Sequence, residues 1–309
     1  MNASFNESWK KPIAEAAISI IERTKVEQGL HIVSTPIGNL ADISLRALVT
    51  LSSADIILCE DTRVTGKLKK VFFIETSTRA YHDYNSRKVL PDIIKNLKNG
   101  KTVALVSDAG TPTISDPGYR LIQAAKECKV PIIAVPGASA VLTALASSGL
   151  PTNQFFFAGF LPSKPIARRK ALSAIKDIPS TLVFYESASR LSSSLTDMVK
   201  IYESREAVIS RELTKRFEEI RRGELTLLAK EIAEGPQIKG EIVVMVGPCR
   251  SEAKHKEKDV DDMLNKELQA NSVRDAAAAV ALKTGIKRQT IYARALTIKE
   301  EIDNLAKKI

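Results

Sequence analysis

Short apolar runs alternate with helical patterns from residue 30 onward, and this alternation constrains the fold more than any other feature. The first four apolar runs are bounded by turn residues and lie at 30–33, 54–59, 103–106 and 132–135. Helical patterns fall between them at 44–51, 87–97 and 119–128. Such alternation predicts an α/β fold with a parallel sheet covered by helices on both faces. Residues 1–29 carry no strand signal; a short amphipathic helix is an alternative there, but we predict a loosely attached tail.

A second unit of the same class follows the first. A helix of small residues at 138–148 ends at Gly149-Leu150-Pro151, which we take as the boundary between domains 30–149 and 150–249. Two domains also suit a chain of 309 residues, which is long for one core. The second unit has strand patterns at 155–159, 181–186, 207–211, 225–228 and 241–247. Its helical patterns lie at 168–178 and 190–202.

The last part of the chain differs from both units. Residues 251–262 are charged and weakly apolar, which predicts a linker. Within a small helical segment at 263–309, Ser272 and Asp275 form a capping pattern before an alanine-rich helix, and a turn at Thr284-Gly285 precedes a second helix. This is a helix-turn-helix pattern, although on spacing alone a helical hairpin used for packing or dimerisation is the simpler interpretation.

Composition narrows the partners and the compartment. The formal net charge of +10 favours a polyanion, nucleic acid above all, over a merely soluble lysine-rich surface because four cations cluster within seven residues. These cations are Lys164, Arg168, Arg169 and Lys170. Three widely spaced cysteines predict no disulfide framework and no metal site, which fits a reducing cytoplasm. No apolar run is long enough to predict a membrane span.

Three loops rich in glycine, proline and small polar residues follow predicted strands, at 34–39, 107–118 and 136–139. In open α/β sheets, ligands bind beyond the carboxyl ends of the strands. Each loop alone would be a tight turn, but three at successive strand ends predict a ligand platform. The G-x-G-x-x-G and P-loop fingerprints are missing, so the usual dinucleotide and triphosphate signals are not present.

A set of motifs runs through the chain from about residue 30 to 247. They are TPIGNLADIS (35–44), CEDTR (59–63), VSDAGTPTISDPG (106–118), VPGASA (135–140), GFLP (159–162), FYES (184–187), RELTK (211–215) and KGE (239–241). Together they resemble the bacterial ribosomal RNA small subunit methyltransferase I family, a branch of the tetrapyrrole methylase superfamily. The tail resembles that family's C-terminal helix-turn-helix segment. One departure is Ala138 in Pro136-Gly137-Ala138, because the family more often has Pro-Gly-Pro at these three positions.

The resemblance implies S-adenosylmethionine as methyl donor and the 2′-hydroxyl of a decoding-centre cytidine in 16S ribosomal RNA of the small subunit as acceptor. It also implies two α/β domains with the cofactor in the cleft between them, and a homodimer. The expected cofactor-binding residues, carried over from the motifs, are Pro36, Asp108, Ala109, Gly110, Thr111, Ile114, Ser115, Pro136, Tyr185, Leu213 and Gly240. Asp108–Thr111 would present polar backbone groups to the donor.

The sequence offers several candidates for the group that accepts the hydroxyl proton, and the expected catalytic residues are Asp61, Arg63 and Lys215. Asp61 and Arg63 follow the second strand beside Glu60, with a helix cap and a surface ion pair as the structural alternative. His82-Asp83 and Lys215 are further candidates. In the tail, we expect Lys287, Arg288 and Arg294 to lie near RNA phosphates, with no acidic side chain neutralising them before Glu300.

Two other functions compete with this interpretation. A small-molecule methylase acting on a corrinoid or porphyrin precursor would need neither the basic cluster nor the tail. A DNA-binding regulator would use the helix-turn-helix for DNA and the strand-end loops for an effector.

Overall fold

A computed structural model describes residues 7–249, 257–284, 286 and 288–306. The chain divides into two compact units, Met1–Pro248 and Cys249–Ile309. The first unit contains two five-stranded sheets, and the second is helical.

The first sheet is entirely parallel. Its strands are β1 (Gly29–Val33), β2 (Ile56–Cys59), β3 (Thr78–Ala80), β4 (Thr102–Leu105) and β5 (Ile132–Val135), in the order β3-β2-β4-β1-β5. The helices that precede and separate them are α1 (Lys10–Arg23), α2 (Leu45–Ser53), α3 (Thr62–Val71), α4 (Ser86–Lys98) and α5 (Tyr119–Glu127). The predicted alternation is therefore confirmed. The short strand β3 and helix α3 were not predicted.

Alternate residues of these strands enter two separate cores, as the period of a strand requires. Leu30 and Leu105 pack on one face, while Val33 and Ala104 pack on the other. The chain leaves β1 toward β2 on one side and leaves β4 toward β5 on the other side. The neighbouring carboxyl ends of β1 and β4 therefore form a topological switch point, where open α/β sheets bind ligands.

The second sheet is mixed. Its strands are β6 (Phe155–Phe160), β7 (Thr181–Ser187), β8 (Glu206–Arg211), β9 (Glu219–Glu224) and β10 (Glu241–Val246), in the order β6-β7-β10-β8-β9. Only the β6–β7 pair is parallel. Helices α7 (Pro165–Ala174), α8 (Leu191–Tyr202) and α9 (Leu225–Glu234) cover one face of this sheet.

Helix α6 (Ala140–Ser148) joins the two sheets and packs against the second one. Its Val141, Ala144 and Leu145 share a buried cluster with Val208 and Met245 of the second sheet, and Ile37 and Leu213 belong to the same cluster. The predicted boundary at Gly149 thus lies between the sheets, but the buried cluster makes the two predicted domains one compact unit.

Three sequence-based expectations are corrected by the structure. Residues 10–23 form α1 rather than a loose tail, although none of its residues is buried, and the helix contacts α2. Residues 225–228 begin helix α9, and the strand lies just before them at Glu219–Glu224. Residues 257–262 belong to a helix rather than a linker.

The second unit consists of α10 (Glu257–Leu268), α11 (Val273–Thr284) and α12 (Arg288–Ala306). The Ser272 hydroxyl accepts a hydrogen bond from the Asp275 backbone N–H at 3.2 Å, which is the expected cap of α11. Leu264, Val280 and Ile291 belong to a core made only of residues from this unit. Across the described part of the chain, no helix has the length and apolar character needed to cross a bilayer.

Candidate ligand pocket between the two sheets

A cavity of about 380 Å³ lies between the strand-end loops of the first sheet and the strands of the second sheet. Its volume falls within the range of small-molecule sites. The first sheet contributes Ile37, Asp108–Thr111, Ile114–Asp116, Ser139 and Ala140. The second sheet contributes Phe160, Tyr185–Ala188, Ser210, Leu213 and Gly240–Val243.

The first-sheet wall is built where two loops are hydrogen-bonded to each other at the switch point. The Thr35 N–H donates to the Gly110 C=O at 2.9 Å, and the Gly110 N–H donates to the Thr35 C=O at 3.0 Å. The Thr111 hydroxyl lies 3.0 Å from the Ser34 hydroxyl and donates to the Ala138 C=O at 3.3 Å. The three predicted strand-end loops are thereby fixed together.

Backbone conformation explains the composition of the longest loop. Gly110 has a φ of +79°, and the non-glycine residues Thr113 and Ser115 have φ values of +75° and +63°. Such conformations are unfavourable for side-chain-bearing residues and are retained mainly where the surroundings enforce them, often at functional sites. The mutual bonds with Thr35 also correct one expectation, because the Gly110 N–H is directed at Thr35 rather than at a ligand.

The second-sheet wall presents side chains rather than backbone. The Tyr185 ring on β7 packs against Phe157 and Phe160 of β6, with centroid distances of 4.9 and 5.4 Å. Phe160 nevertheless remains 57% exposed at the pocket. Ser210 on β8 is fully buried, and its hydroxyl has no hydrogen-bond partner among the described residues. An unpartnered buried hydroxyl in a pocket wall is suited to a polar group of a ligand.

An ion pair with a buried carboxylate stabilises this wall. The Glu186 carboxylate accepts from the Ser194 hydroxyl at 2.6 Å and pairs with Arg190 at 2.7 Å. Arg190 also donates to the Leu161 C=O at 3.1 Å. The FYES and GFLP motifs therefore meet through one charged network in the pocket wall.

Carboxylates gather at the first-sheet side of the pocket and influence one another. Burial and then the negative charge of Glu60 raise the pKa of Asp116 to about 6, with Asp108 adding to the effect and Ser107 opposing it. Burial and then Asp108 and Asp83 likewise raise the pKa of Glu60. No group of acidic, histidine and cysteine side chains in the described ranges is arranged to hold a metal ion.

Nine of the eleven residues predicted to bind the cofactor line this pocket. They are Asp108, Ala109, Gly110, Thr111, Ile114, Ser115, Tyr185, Leu213 and Gly240. Pro36 and Pro136 lie in the adjoining loops outside the lining, where the Pro136 C=O accepts from the Ser44 hydroxyl at 3.4 Å. Sequence reasoning missed Asp116, Phe160 and Ser210, although Asp116 and Phe160 stand within the quoted motifs.

The three predicted catalytic residues lie outside the lining. Asp61 caps α3, accepts from the Arg63 N–H at 2.8 Å and pairs with the Arg63 guanidinium at 2.6 Å. The Arg63 hydrogen bonds lower the pKa of Asp61 to about 2, so Asp61 is a poor proton acceptor. The structure therefore favours the cap and surface ion pair for these two residues.

Lys215 is held as a cation. Its Nζ bonds Glu212 at 2.7 Å and Glu241 at 3.0 Å. Burial lowers the pKa of Lys215, but the hydrogen bonds to the two carboxylates outweigh it, so the net pKa is raised. A base with a raised pKa stays protonated at neutral pH, which argues against proton abstraction by Lys215.

The basic cluster separates into buried and exposed members. Arg168 is only 3% exposed and its Nε donates to Asp197 at 2.8 Å, so the prediction that it contacts phosphate is wrong. Arg169 also pairs with Asp197, at 3.2 Å, but stays partly exposed. Lys164, at the start of α7, and Lys170 are exposed.

The predicted basic residues of the tail have different surroundings. Arg288 begins α12 and is exposed. Arg294 pairs with Asp261 at 2.6 Å, which corrects the expectation that no acid neutralises it. Lys287 lies outside the described residues.

Comparison with known proteins places this architecture in a class of methylases. The family model of tetrapyrrole (corrin/porphyrin) methylases matches residues 29–229, and that of the RsmI C-terminal HTH domain matches residues 254–299. A uroporphyrin-III C-methyl transferase from Thermus thermophilus, solved with S-adenyl homocysteine, has the same fold at a TM-score of 0.50 and 16% identity. That comparison covers 71% of this chain and 97% of the other.

Two relatives refine the assignment. A ribosomal RNA small subunit methyltransferase I of Mesorhizobium japonicum is 47% identical, over 89% of this chain and 94% of its own length. One of Vibrio cholerae is 44% identical, over 85% and 92%. The chain therefore belongs to the tetrapyrrole methylases and, within them, to the ribosomal RNA small subunit methyltransferase I family. The predicted fold class is confirmed, as is S-adenosylmethionine as the cofactor on which this family depends.

Proposed function

We propose that the protein methylates the 2′-hydroxyl of a decoding-centre cytidine in 16S ribosomal RNA, using S-adenosylmethionine. Family membership supports methylation of small-subunit ribosomal RNA. The observation that carries the proposal is the pocket, in which the strained loop that contains Asp108-Ala109-Gly110-Thr111-Pro112 faces the second sheet. The finer choice of atom and nucleotide rests on the motif resemblance.

The residues of the pocket fit such a cofactor. The Ser210 hydroxyl lacks a partner in the wall and suits a polar group of the donor. The Asp108–Ser115 loop would hold the donor against the apolar surface of Leu213 and Val243. S-adenosylmethionine carries a methyl group already activated by its positive sulfonium. The work left to the protein is alignment and exclusion of water, and alignment is worth roughly 7–11 kcal/mol.

Features beside the pocket suit an RNA substrate. Phe160 offers an exposed aromatic ring on which an unstacked base would pack. Lys164 lies only a few residues further along and, with Lys170, would contact phosphates. Arg169 and Arg190 lie in the same region but are engaged by Asp197 and Glu186.

A methyl-transfer assay tests the proposed function directly. The protein and tritiated S-adenosylmethionine would be added to small ribosomal subunits from a strain that lacks the homologous gene. We expect label in 16S RNA, mapped to a cytidine whose 3′-phosphodiester bond resists alkaline cleavage because its 2′-oxygen is methylated. Label elsewhere in the RNA would overturn the choice of atom, and label only on a corrin or porphyrin precursor would overturn the RNA substrate.

We infer that the helical tail docks RNA, with Arg288 among its contacts. Because α10, α11 and α12 have their own core, truncation after Pro248 should leave the first unit folded. Binding of S-adenosylhomocysteine should be unchanged, while KM for the small subunit should rise about tenfold or more. An unchanged KM with a lower melting temperature would instead assign the tail to packing.

We also propose a cytoplasmic homodimer. The edge strands β5 and β6 expose Ile132, Phe155 and Phe156, and exposed apolar edges are surfaces that proteins commonly cover. Sedimentation should give twice the chain mass. Phe155→Glu should reduce it to one chain mass if the β6 edge forms the interface, and Ile132→Glu should do so if the β5 edge forms it. A monomeric wild type would reject the dimer without affecting the proposed activity.

A further inference from the structure

Four carboxylates line the pocket, and their surroundings separate one of them from the rest. Glu186 pairs with Arg190, and Glu241 pairs with Lys215. Asp108 accepts a hydrogen bond from the Asp61 backbone N–H at 3.1 Å. Asp116 takes part in none of the ion pairs seen among the described residues. Asp108 likewise has no ion pair, but it already accepts that backbone N–H, so Asp116 is the lining carboxylate with neither an ion pair nor a backbone hydrogen bond among the described residues.

The groups facing Asp116 come from several elements and oppose its ionisation. Glu60 lies beyond β2 and Asp108 lies in the same loop as Asp116 beyond β4, and the charges of both raise the pKa of Asp116. Asp116 also interacts electrostatically with Tyr185 on β7, because the Asp116 charge adds to burial in raising the pKa of that phenol. The Ser107 hydroxyl is the one contact that favours the charged carboxylate.

On the basis of the proposed function, we propose that the Asp116 carboxylate accepts the proton of the ribose hydroxyl during methyl transfer. The attacking oxygen forms a bond to the methyl carbon while the carbon–sulfur bond breaks and its electron pair stays on sulfur. The O–H electron pair stays on oxygen, and the proton passes to an Asp116 oxygen and later to water. Charge is conserved, because the positive charge that sulfur loses is balanced by the one proton that leaves the hydroxyl.

The electrostatics of this position suit such a transfer. While a positive sulfonium lies in the pocket, it favours the ionised form of Asp116, which is the form that accepts a proton. When the methyl group has moved, the sulfur is neutral, and the neighbouring carboxylates again raise the proton affinity of Asp116. The pKa of about 6 then lies close to neutral pH, where a general base is most effective.

The pH dependence of a single turnover tests the role of Asp116. In the wild type, the methyl-transfer rate on small subunits should rise through an acidic limb, and Asp116→Asn should lower the rate about 10²–10⁴-fold and remove that limb. Asp116→Glu should restore part of the rate and the limb. Glu60→Gln, which removes one neighbouring negative charge, should move the limb to lower pH. A wild-type rate in folded Asp116→Asn would overturn the proposal.

Proton release on ligand binding provides a readout without turnover. Calorimetry at pH 6 in buffers of different ionisation enthalpy would compare S-adenosylmethionine with S-adenosylhomocysteine. Because Asp116 is about half protonated at that pH, the positive ligand should release up to about half a proton more than the neutral one. Asp116→Asn should abolish the difference, while Asp61→Asn, whose carboxyl is already ionised, should keep it.

The two experiments separate the proposal from the proposed function. Equal proton release for the two ligands in the wild type would reject Asp116 as the coupled group even if RNA is methylated. Failure of the wild type to methylate small subunits would reject the function, while the proton release would still report whether Asp116 senses the sulfonium.

Discussion

The two sheets build the two walls of the pocket in different ways. The first sheet is parallel, so its loops meet at one edge, and the wall consists of backbone in unusual conformations with Asp108 and Asp116 beside it. The second sheet is largely antiparallel and offers side chains that project from its strands, such as Tyr185 and Ser210. The first wall is therefore sensitive to backbone geometry, and the second to the packing and charges behind it.

The two walls are therefore held in place by different kinds of interaction. The first-sheet wall is fixed by the mutual bonds of Thr35 and Gly110. The second sheet and its helices depend on buried charges, namely Glu186 with Arg190 beside the pocket and Arg168 with Asp197 between α7 and α8. Substitutions in the first wall should mainly affect ligand binding, whereas substitutions behind the second should mainly affect stability. Four predictions test this comparison.

The largest expected effect is on stability, from Arg168→Met. Burial raises the pKa of Asp197, but the hydrogen bonds from Arg168 and Arg169 outweigh it and keep the carboxyl ionised. Removing Arg168 leaves a buried charge with its main partner gone, which should lower the free energy of unfolding by about 3–5 kcal/mol. Urea unfolding would measure this. Arg169→Met, at the more exposed position, should cost about 1 kcal/mol or less, and equal losses would contradict the assignment.

The next effect is on ligand affinity, from Gly110→Val. A β-branched residue at a φ of +79° is strained by about 1–3 kcal/mol and should disrupt the loop, so cofactor affinity should fall about 100-fold or more. Gly149→Val is the matched control, because Gly149 has a φ of +83° at the end of α6 and is not in the pocket lining. It should lose similar stability but keep affinity by calorimetry. Wild-type affinity in folded Gly110→Val would reject the loop as the binding element.

A smaller effect concerns the pH dependence of stability at Asp116. Its folded pKa of about 6 lies above the reference value of 3.8. Its contribution to stability is therefore full below pH 3.8 and is lost as the pH rises through 6. Asp116→Asn should be more stable than the wild type at pH 8, by about 1 kcal/mol after solvent screening, and should lose that advantage toward pH 3.8. Melting temperatures at both pH values would show this, and a constant difference would contradict it.

The smallest effect should come from Lys164→Ala combined with Lys170→Ala. Each lost phosphate contact should reduce the slope of log K against log salt by about 0.7–0.9, without changing stability or cofactor binding. Lys95→Ala with Lys98→Ala on α4 is the matched control, since both lysines are exposed on the first sheet's side. Equal slopes for the two double variants would make the Lys164 region an ordinary solvated surface.

Much of the fold was predictable because periodicity reports it locally. Four of the five strands of the first sheet, three loops at their ends and the capped helix after Ser272 are visible as short patterns. The second sheet was less accessible. Strand β9 has the sequence EIRRGE and lies at the edge of the sheet. Its charged residues leave no apolar strand pattern, so the apolar start of α9 was predicted as the strand instead.

The sequence by itself determined the class of fold, the family and the loop that lines the pocket, because local composition and motif order carry that information. Tertiary structure decided what each charge does. Arg168 and Lys170 stand in one basic run, yet α7 turns Arg168 toward Asp197 and leaves Lys170 in solvent. Asp61 and Asp116 are both strand-end aspartates, but one is next to Arg63 and the other is next to Glu60. Proton affinity and burial depend on which charges the fold places beside a side chain. Arg168 meets Asp197 only because α7 packs beside α8, and Glu60 influences Asp116 only because β2 and β4 are neighbours in the first sheet.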